Sequence, residues 1–252
     1  MDFIFDQTFW TAITGLAAFA SLFITITPRL CSWISKKKPN VSIPTICTVG
    51  HFFGNPDFFL FVDIENDSQR DLKIESISIS ITNPSREVIT KKAYAYFGNT
   101  QQDQNFKAFV PLTIKKGTTW SNNIRFYTPV LGSNEKTLKI ITKKFKEAIV
   151  RAREENNTNG LINCFDYDLE LEPIASKLYE NSKYWMEGQY LVTLDIKTGN
   201  PKTNIQRKLN FNLLQIDILT LEDLFMADMK FGTGILMNPT NHYIYPILNI
   251  DE

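Results

Sequence analysis

The chain has 252 residues, with 27 Lys or Arg and 27 Asp or Glu, so its formal net charge is zero. Proteins that bind nucleic acid usually carry a basic surplus, and this composition therefore argues against a nucleic-acid partner. Three unevenly spaced cysteines do not make a disulfide framework. After an apolar N-terminal segment about 210 residues remain, which is enough for one large domain.

An uncharged segment runs from Phe9 to Pro28 and reads FWTAITGLAAFASLFITITP. A helix needs about 20 apolar residues to cross the hydrocarbon core of a bilayer. The preceding residues include Asp2 and Asp6 and no basic residue, whereas a cleavable signal peptide begins with a positive region. The sequence therefore predicts a retained, single transmembrane helix inside an N-terminal anchor and juxtamembrane segment, residues 1–35.

Small and hydroxyl-bearing residues share one face of this predicted helix when it is drawn at 100° per residue. The stripe consists of Thr11, Thr14, Gly15, Ala18, Ser21, Leu22 and Thr25. Small residues let membrane helices approach closely, and hydroxyls can hydrogen-bond between them. The stripe therefore predicts packing on another membrane helix, from a second copy of this chain or from a partner. In the alternative interpretation, Ser and Thr donate to carbonyls of their own helix.

Basic residues flank the apolar segment on its C-terminal side only, at Arg29, Lys36, Lys37 and Lys38. Loops next to a membrane helix carry their Lys and Arg on the cytoplasmic side. This asymmetry predicts an external N-terminus and a cytoplasmic C-terminal domain. The basic residues could also attract anionic lipid headgroups, at about 1 kcal/mol each, although the simpler interpretation is that they only set the topology.

The segment 39–252 is predicted to be one soluble β-rich domain. Its first half contains short β-prone runs separated by turns, at 41–49, 57–65, 72–82, 87–96, 108–114 and 118–127. In the clearest of them, Ile77, Ile79 and Ile81 alternate with hydroxyl residues, as in a strand with one buried face. In strand count and spacing this part resembles the immunoglobulin-like antiparallel β-sandwich. The Cys…Trp…Cys pattern of true immunoglobulin domains is absent.

A helical insertion is predicted at about 133–156, where apolar residues recur at helical spacing. Its other face carries a basic patch, a candidate contact for a protein partner or for lipid. The residues of this patch are Lys139, Lys143, Lys146 and Arg151. Glutamates interrupt the patch, so a solvated helix face is the simpler interpretation.

The second half of the domain is predicted as a mixture of strands and helices. We expect a strand at 161–172 with an outward row of acidic residues, a short helix at 175–181 and a hairpin at 188–197 and 204–215. Thr220 and Asp223 resemble a capping box that opens a helix. The apolar tail at 242–250 is predicted to be an edge strand or a partner-binding segment.

The sequence carries no recognisable catalytic motif. It has only two histidines and lacks HExxH, GxSxG and phosphate-loop patterns. The acidic row at 161–172 would not converge on one metal ion, and Cys47 with His51 is the nearest Cys–His pair. We therefore expect no catalytic residues, no metal site and no cofactor.

Three functions remain open. The first is a membrane-tethered cytoplasmic module that recruits or recognises a protein partner, and that assembles through its membrane helix. The second is an oligomeric effector that forms a pore or perturbs the bilayer. The chain is similar in architecture to short bacterial proteins with one N-terminal anchor and an immunoglobulin-like domain. Some such proteins serve in anti-phage defence, and for the effector the resemblance implies a role of that kind. The third is an enzyme, such as a hydrolase, with an unrecognised site.

Overall fold

The computed structural model describes residues 13–25, 38–98, 106–156, 163–231 and 243–250. The fold is mainly antiparallel β, with a curled sheet and helices packed at one end. The described α-helices are α1 (13–25), α2 (Ser133–Asn156), α3 (Leu171–Ser182) and α4 (Gln215–Phe231). Short 3-10 helices lie at Cys164–Asp166 and Pro201–Thr203.

Twelve described strands form the sheet. They are β1 (Asn40–Ser42), β2 (Thr48–Phe52), β3 (Asn55–Glu65), β4 (Leu72–Thr82), β5 (Val88–Gly98), β6 (Lys107–Ala108), β7 (Leu112–Ile114), β8 (Thr119–Phe126), β9 (Gly188–Thr198), β10 (Ile205–Leu213), β11 (Tyr243–Ile244) and β12 (Asn249–Ile250). Their order is β11-β2-β3-β8-β5-β4-β9-β10-β12, with β1 on β3, β6 on β5 and β7 on β4.

The sheet curls because β5 belongs to both of its halves. Residues 88–92 pair with β4, and residues 93–98 pair with β8 after an irregularity at Ala93 and Ala95. An extra residue in a strand bends it and increases its twist. The two halves therefore face each other, and their apolar side chains share one core that includes Leu60 of β3, Ile79 of β4 and Leu194 of β9.

The C-terminal tail joins the two free edges of the curled sheet. Tyr243 and Ile244 pair with β2, whereas Asn249 and Ile250 pair with β10. Between them Leu248 is buried, and its N–H donates to the Thr45 carbonyl. Of the two interpretations of the apolar tail, the edge strand is therefore the one observed.

A second core forms where α2, α3 and α4 pack together and receive the tip of the β2–β3 hairpin. This tip is a two-residue turn, Phe53–Gly54, in which both residues have positive φ, 52° and 79°. Such turns match the twist of a hairpin, but positive φ is unusual for Phe. The Phe53 ring is buried among the helices, and this packing holds the turn in place.

The predicted strand at 161–172 is wrong. Its described part forms the 3-10 helix and the start of α3, because Cys164 and Leu171 are both buried in the helical core. The Asn163 side chain caps the 3-10 helix by accepting from the Phe165 N–H. Acidic and apolar residues alternate here as they do in a strand. Packing of the buried residues against the other helices makes the segment helical instead.

Two predicted boundaries also change. The helix expected from Thr220 begins at Gln215, because the Asp217 carboxylate accepts a hydrogen bond from the Leu214 N–H at 2.8 Å in the manner of a capping box. The predicted strand at 41–49 is two strands, β1 and β2, paired with different parts of β3.

Helix α1 lies in the predicted membrane segment, and every residue from 13 to 25 is exposed. Within the part of the chain that the structure describes, no helix is both long enough and apolar enough to span a membrane. Residues 9–12 and 26–28 of the predicted span lie outside that part, as do Thr11, Arg29, Lys36 and Lys37.

Candidate functional site: a buried charged cluster among aromatic rings

The strand period of two places Asp57 and Arg125 on the outer face of one half of the sheet. In β3, Phe58 and Leu60 point into the core, so Asp57 and Phe59 point the other way. In β8, Phe126 is in the core, so its neighbour Arg125 points outward beside Phe59, its cross-strand partner. We call Asp57, Lys91, Arg125, Tyr127 and Tyr243 the Asp57 cluster.

Asp57 and Arg125 form a largely buried ion pair. Arg125 Nε lies 3.0 Å from both carboxylate oxygens, and Nη2 donates to Oδ2 at 2.6 Å. The side chains are only 3% and 19% exposed, respectively. The Tyr243 hydroxyl lies 3.4 Å from the same Oδ2 and brings the C-terminal tail to the pair. Bidentate contacts of this kind fix the relative orientation of the two side chains and are stronger than hydrogen bonds between neutral groups.

Aromatic rings surround the Arg125 guanidinium. Its central carbon lies 4.8 Å from the ring centre of Tyr127, 5.3 Å from Phe106 and 5.6 Å from Phe59. Phe97 packs on both of the phenylalanine rings. Cations over aromatic faces gain electrostatic attraction, and more so away from water. The rings therefore both shield the ion pair and hold the guanidinium in position.

Lys91 is the second cation of the cluster. It occupies an inward position of β5, between Ile89 and Ala93 in the alternation, and faces the fully buried Ile79. Its ammonium lies 5.9 Å from the centre of the Tyr127 ring. Lys91 is 5% exposed. Within the described residues its ammonium has no hydrogen-bond acceptor and no carboxylate within 4 Å.

Burial shifts the ionisation of both kinds of charge in the cluster. It raises the pKa of the Asp57 carboxyl above its ordinary range, against the opposing effects of Arg125 and Lys91. It also lowers the pKa of Lys91 to about 8, against the attraction of Asp57. Burial acts to lower the pKa of Arg125, but hydrogen bonding and charge from Asp57 outweigh it, so that pKa is raised. Perturbed groups of this kind gather at functional sites.

The sequence analysis did not identify this cluster. Two signals were available: Asp57 opens an otherwise apolar run, and Lys91 interrupts the inward alternation of β5. Each signal is common by itself. Asp57 and Lys91 come close only because strands far apart in the sequence pair with each other, and residue spacing does not reveal that pairing.

The Cys47–His51 pair does not form a catalytic arrangement. Cys47 is buried, its thiol contacts the Pro246 carbonyl at 3.8 Å, and burial raises its pKa to about 12. His51 Nδ1 accepts from the Gly54 N–H at 3.2 Å, and Nε2 lies 3.3 Å from the Leu221 carbonyl. The thiol is therefore not poised to become a nucleophile.

The acidic residues near the start of α3 form ion pairs. Lys144 of α2 lies 3.3 Å from Asp168 and 2.6 Å from Glu170. Among the residues that the structure describes, no group of His, Cys, Asp and Glu could hold a metal ion.

The predicted basic patch lies on the exposed face of α2. Lys139, Lys143, Lys146 and Arg151 are all exposed there. Lys139 pairs with Glu135 at 2.6 Å and Lys143 with Glu147 at 3.6 Å, each one helical turn away. Exposed pairs of this kind contribute only about 0.3–0.5 kcal/mol. The lysine side chains stay exposed within them, so the patch is accessible.

Part of the small-residue stripe is visible on α1. The Ser21 hydroxyl donates to the Ala18 carbonyl at 2.9 Å, and the Thr25 hydroxyl donates to the Ser21 carbonyl at 2.6 Å. Ser21 and Thr25 therefore donate to carbonyls of their own helix, as the alternative interpretation of the stripe states. Nothing lies within 4 Å of where a Gly15 side chain would begin, so that face is sterically open.

Comparison with known proteins does not identify the chain. No protein-family model and no curated protein matches it. A crystal structure of a protein from Archaeoglobus fulgidus aligns with 68% of this chain and 98% of its own length, at 9% identity and a TM-score of 0.27. A TM-score of this size does not establish a shared fold.

Proposed function

We propose that the protein is a membrane-tethered binding module, with its N-terminal apolar segment in the bilayer and its β-rich domain in the cytoplasm, where it recruits a protein partner. The observation that carries this proposal is the exposure of large apolar side chains on α1. Leu16, Phe19 and Ile24 are 72%, 68% and 72% exposed.

Such exposure is unfavourable in water. Apolar surface costs about 25 cal/mol for each Å² left in contact with water, and contiguous exposed patches mark sites of protein or membrane contact. An uncharged helix satisfies its backbone hydrogen bonds internally, as lipid requires. The uncharged run from Phe9 to Pro28 also has the length needed to cross a bilayer.

The flanking charges support the proposed orientation. Arg29 and Lys36–Lys38 follow the apolar run, and no basic residue precedes it. This distribution favours a cytoplasmic C-terminal domain. The α2 basic patch then faces the cytoplasm, where it is available to an acidic protein surface.

We further propose that the β-rich domain is an immunoglobulin-like β-sandwich that presents loops and helices to the partner. Its support is the antiparallel pairing of the strands and the single core shared by two facing halves of the sheet. Sandwiches of this architecture serve often as recognition domains, although architecture alone does not determine function.

Alkaline carbonate extraction of cell membranes tests the tether, because it releases peripheral proteins and leaves membrane-spanning ones in the pellet. We expect the wild type in the pellet and Phe19→Lys in the supernatant, since a charge at the centre of a membrane helix costs about 3 kcal/mol. The matched control is Leu169→Lys, which adds the same charge at an 81% exposed position of the domain and should stay in the pellet. Release of the wild type would overturn the proposal.

A further inference from the structure

Four segments of the chain meet at the end of the curled sheet that lies away from the helices. Strand β1 begins beside Glu65, the last residue of β3. The Gly117 N–H donates to the Asn66 carbonyl at 2.8 Å, and the Gly199 N–H donates to the Lys73 carbonyl at 2.9 Å. These contacts join the start of the domain to three turns. We call residues 38–40, 65–75, 115–119 and 197–204 the turn end of the domain.

The turn end and the helical core lie at opposite ends of β3. The Phe53–Gly54 tip, just before β3, packs among the helices, whereas Glu65 closes the strand at the turn end. A strand rises about 3.3 Å per residue, so the 11 residues of β3 separate the two ends by roughly 33 Å. A membrane that contacts one end is therefore far from the other.

The two ends carry opposite net charge. The turn end has seven basic and four acidic residues, which gives a net charge of +3. The described helical segments 133–156, 163–183 and 215–231 have ten basic and thirteen acidic residues, which gives −3, because acidic residues of the last two segments outweigh the basic patch of α2. The basic residues of the turn end are all exposed, and they are Lys38, Arg70, Lys73, Lys115, Lys116, Lys197 and Lys202.

The chain enters the domain at this basic end. The apolar run ends at Pro28 and β1 begins at Asn40, so the connection between them spans at most about 43 Å when fully extended. Because β1 starts beside Glu65, this connection reaches the turn end without passing along β3. With the apolar run in a bilayer, the turn end is the part of the domain that the connection brings to the membrane surface.

From these observations we infer that the turn end docks on the anionic cytoplasmic leaflet, with its lysines against lipid headgroups and with the helices turned toward the cytoplasm. Anionic lipids attract basic segments next to a membrane helix, and the attraction acts within a Debye length of the surface. The inference rests on the proposed tether. It also assigns the α2 basic patch to the protein partner, because docking by the turn end holds α2 away from lipid.

Energy transfer from a dye on the domain to labelled lipid headgroups measures which end faces the bilayer. The full chain would carry Cys31→Ser, since Cys47 and Cys164 are buried, and one dye at either Gln69→Cys or Leu169→Cys. Both positions are exposed, the first in the turn end and the second just before α3.

The chain would be reconstituted in nanodiscs of phosphatidylcholine with phosphatidylserine. We expect severalfold stronger transfer from position 69 than from position 169, since roughly 33 Å separates the two ends of the domain. Omitting phosphatidylserine or raising the salt concentration should remove the difference, because both weaken the attraction of lysines to the leaflet.

Charge reversal tests the lysines directly. In one variant, three turn-end lysines that form no ion pair with a described carboxylate are replaced, as Lys116→Glu, Lys197→Glu and Lys202→Glu. Its transfer from position 69 should fall to the level seen in phosphatidylcholine alone. The matched control reverses three charges of the α2 basic patch, as Lys139→Glu, Lys143→Glu and Lys146→Glu. This control should keep the wild-type transfer, and unchanged melting temperatures would show that both variants fold.

The outcomes separate this inference from the tether. Equal transfer from positions 69 and 169 in discs that hold the chain would overturn the inference and leave the tether standing, as would loss of transfer in the α2 variant alone. A chain that does not enter the discs would overturn the tether. The same two dye positions, measured with anionic vesicles added to that chain, would then decide by the same criteria whether the turn end binds lipid.

Discussion

Asp57 and Arg125 join neighbouring strands through an ion pair whose carboxylate is 3% exposed. Removing one partner of such a pair leaves the other buried and uncompensated. We therefore expect Asp57→Ala to lower the free energy of unfolding by about 3–5 kcal/mol, measured by urea denaturation. The double variant Asp57→Leu/Arg125→Met should regain a large part of that loss. A cost below about 1 kcal/mol for Asp57→Ala would show that solvent satisfies the guanidinium.

The hairpin tip at Gly54 gives a second prediction. A Cβ atom there would lie 2.8 Å from the backbone nitrogen of Lys183, and the residue has φ of 79°. Gly117 has a similar φ of 65° with nothing within 4 Å, which makes it a matched control. Gly117→Ala should cost about 1 kcal/mol from backbone strain alone. Gly54→Ala should cost at least about 2 kcal/mol more, because it also collides with α3. Equal costs in urea denaturation would contradict the packing described for the tip.

Lys91 should make stability depend on pH. Its folded pKa of about 8 lies below the ordinary value of 10.5, so the unfolded chain binds more protons between those values and stability from this group rises with pH there. Below pH 8 the buried ammonium destabilises the fold. Lys91→Met should therefore be more stable than the wild type at pH 7, by on the order of 2 kcal/mol, and the difference should shrink by pH 10.

Urea midpoints of both chains at pH 7 and pH 10 measure this difference. Lys92→Met serves as the control, because its exposed side chain should give the same small effect at both values. A Lys91→Met advantage that is absent at pH 7, or that grows with pH, would contradict the burial of a charged Lys91.

The small-residue stripe of α1 remains a prediction about assembly. Nothing lies within 4 Å of where a Gly15 side chain would begin, and residues 13–25 are all exposed, so we attribute an effect of Gly15→Leu to a contact with another helix. We expect Gly15→Leu to lower the crosslinked dimer fraction in membranes severalfold. Ala20→Leu adds a similar side chain on the opposite face and should leave the dimer unchanged. An oligomer size that neither variant alters would remove the stripe as a packing face.

The strands of the first half were largely predictable because their burial follows a period of two. Ile77, Ile79 and Ile81 are all buried, as the alternation in β4 predicts. The helix α2 was predictable because its burial follows the helical period of 3.6 residues. Ile141, Phe145 and Ala148 are all buried on one side of it. In both cases the local pattern and the tertiary packing agree.

The remaining structure depends on contacts that a local pattern does not contain. The run around Asp168 alternates like a strand, but burial of Cys164 and Leu171 against α2 makes it helical. The Asp57 cluster combines β3, β5, β8 and the C-terminal tail. The crossing of β5 between the sheet halves brings Lys91 to it, and no spacing in the sequence predicts that crossing.

The topology of the C-terminus tests the membrane tether most directly. Two reporters, one active only in the cytoplasm and one active only outside it, would be fused after Glu252 of the full chain. Because Arg29 and Lys36–Lys38 all follow the apolar segment, we predict that only the cytoplasmic reporter is active and that it sediments with the membrane fraction. Activity of the external reporter would contradict the orientation, and a fully soluble cytoplasmic reporter would contradict the tether itself.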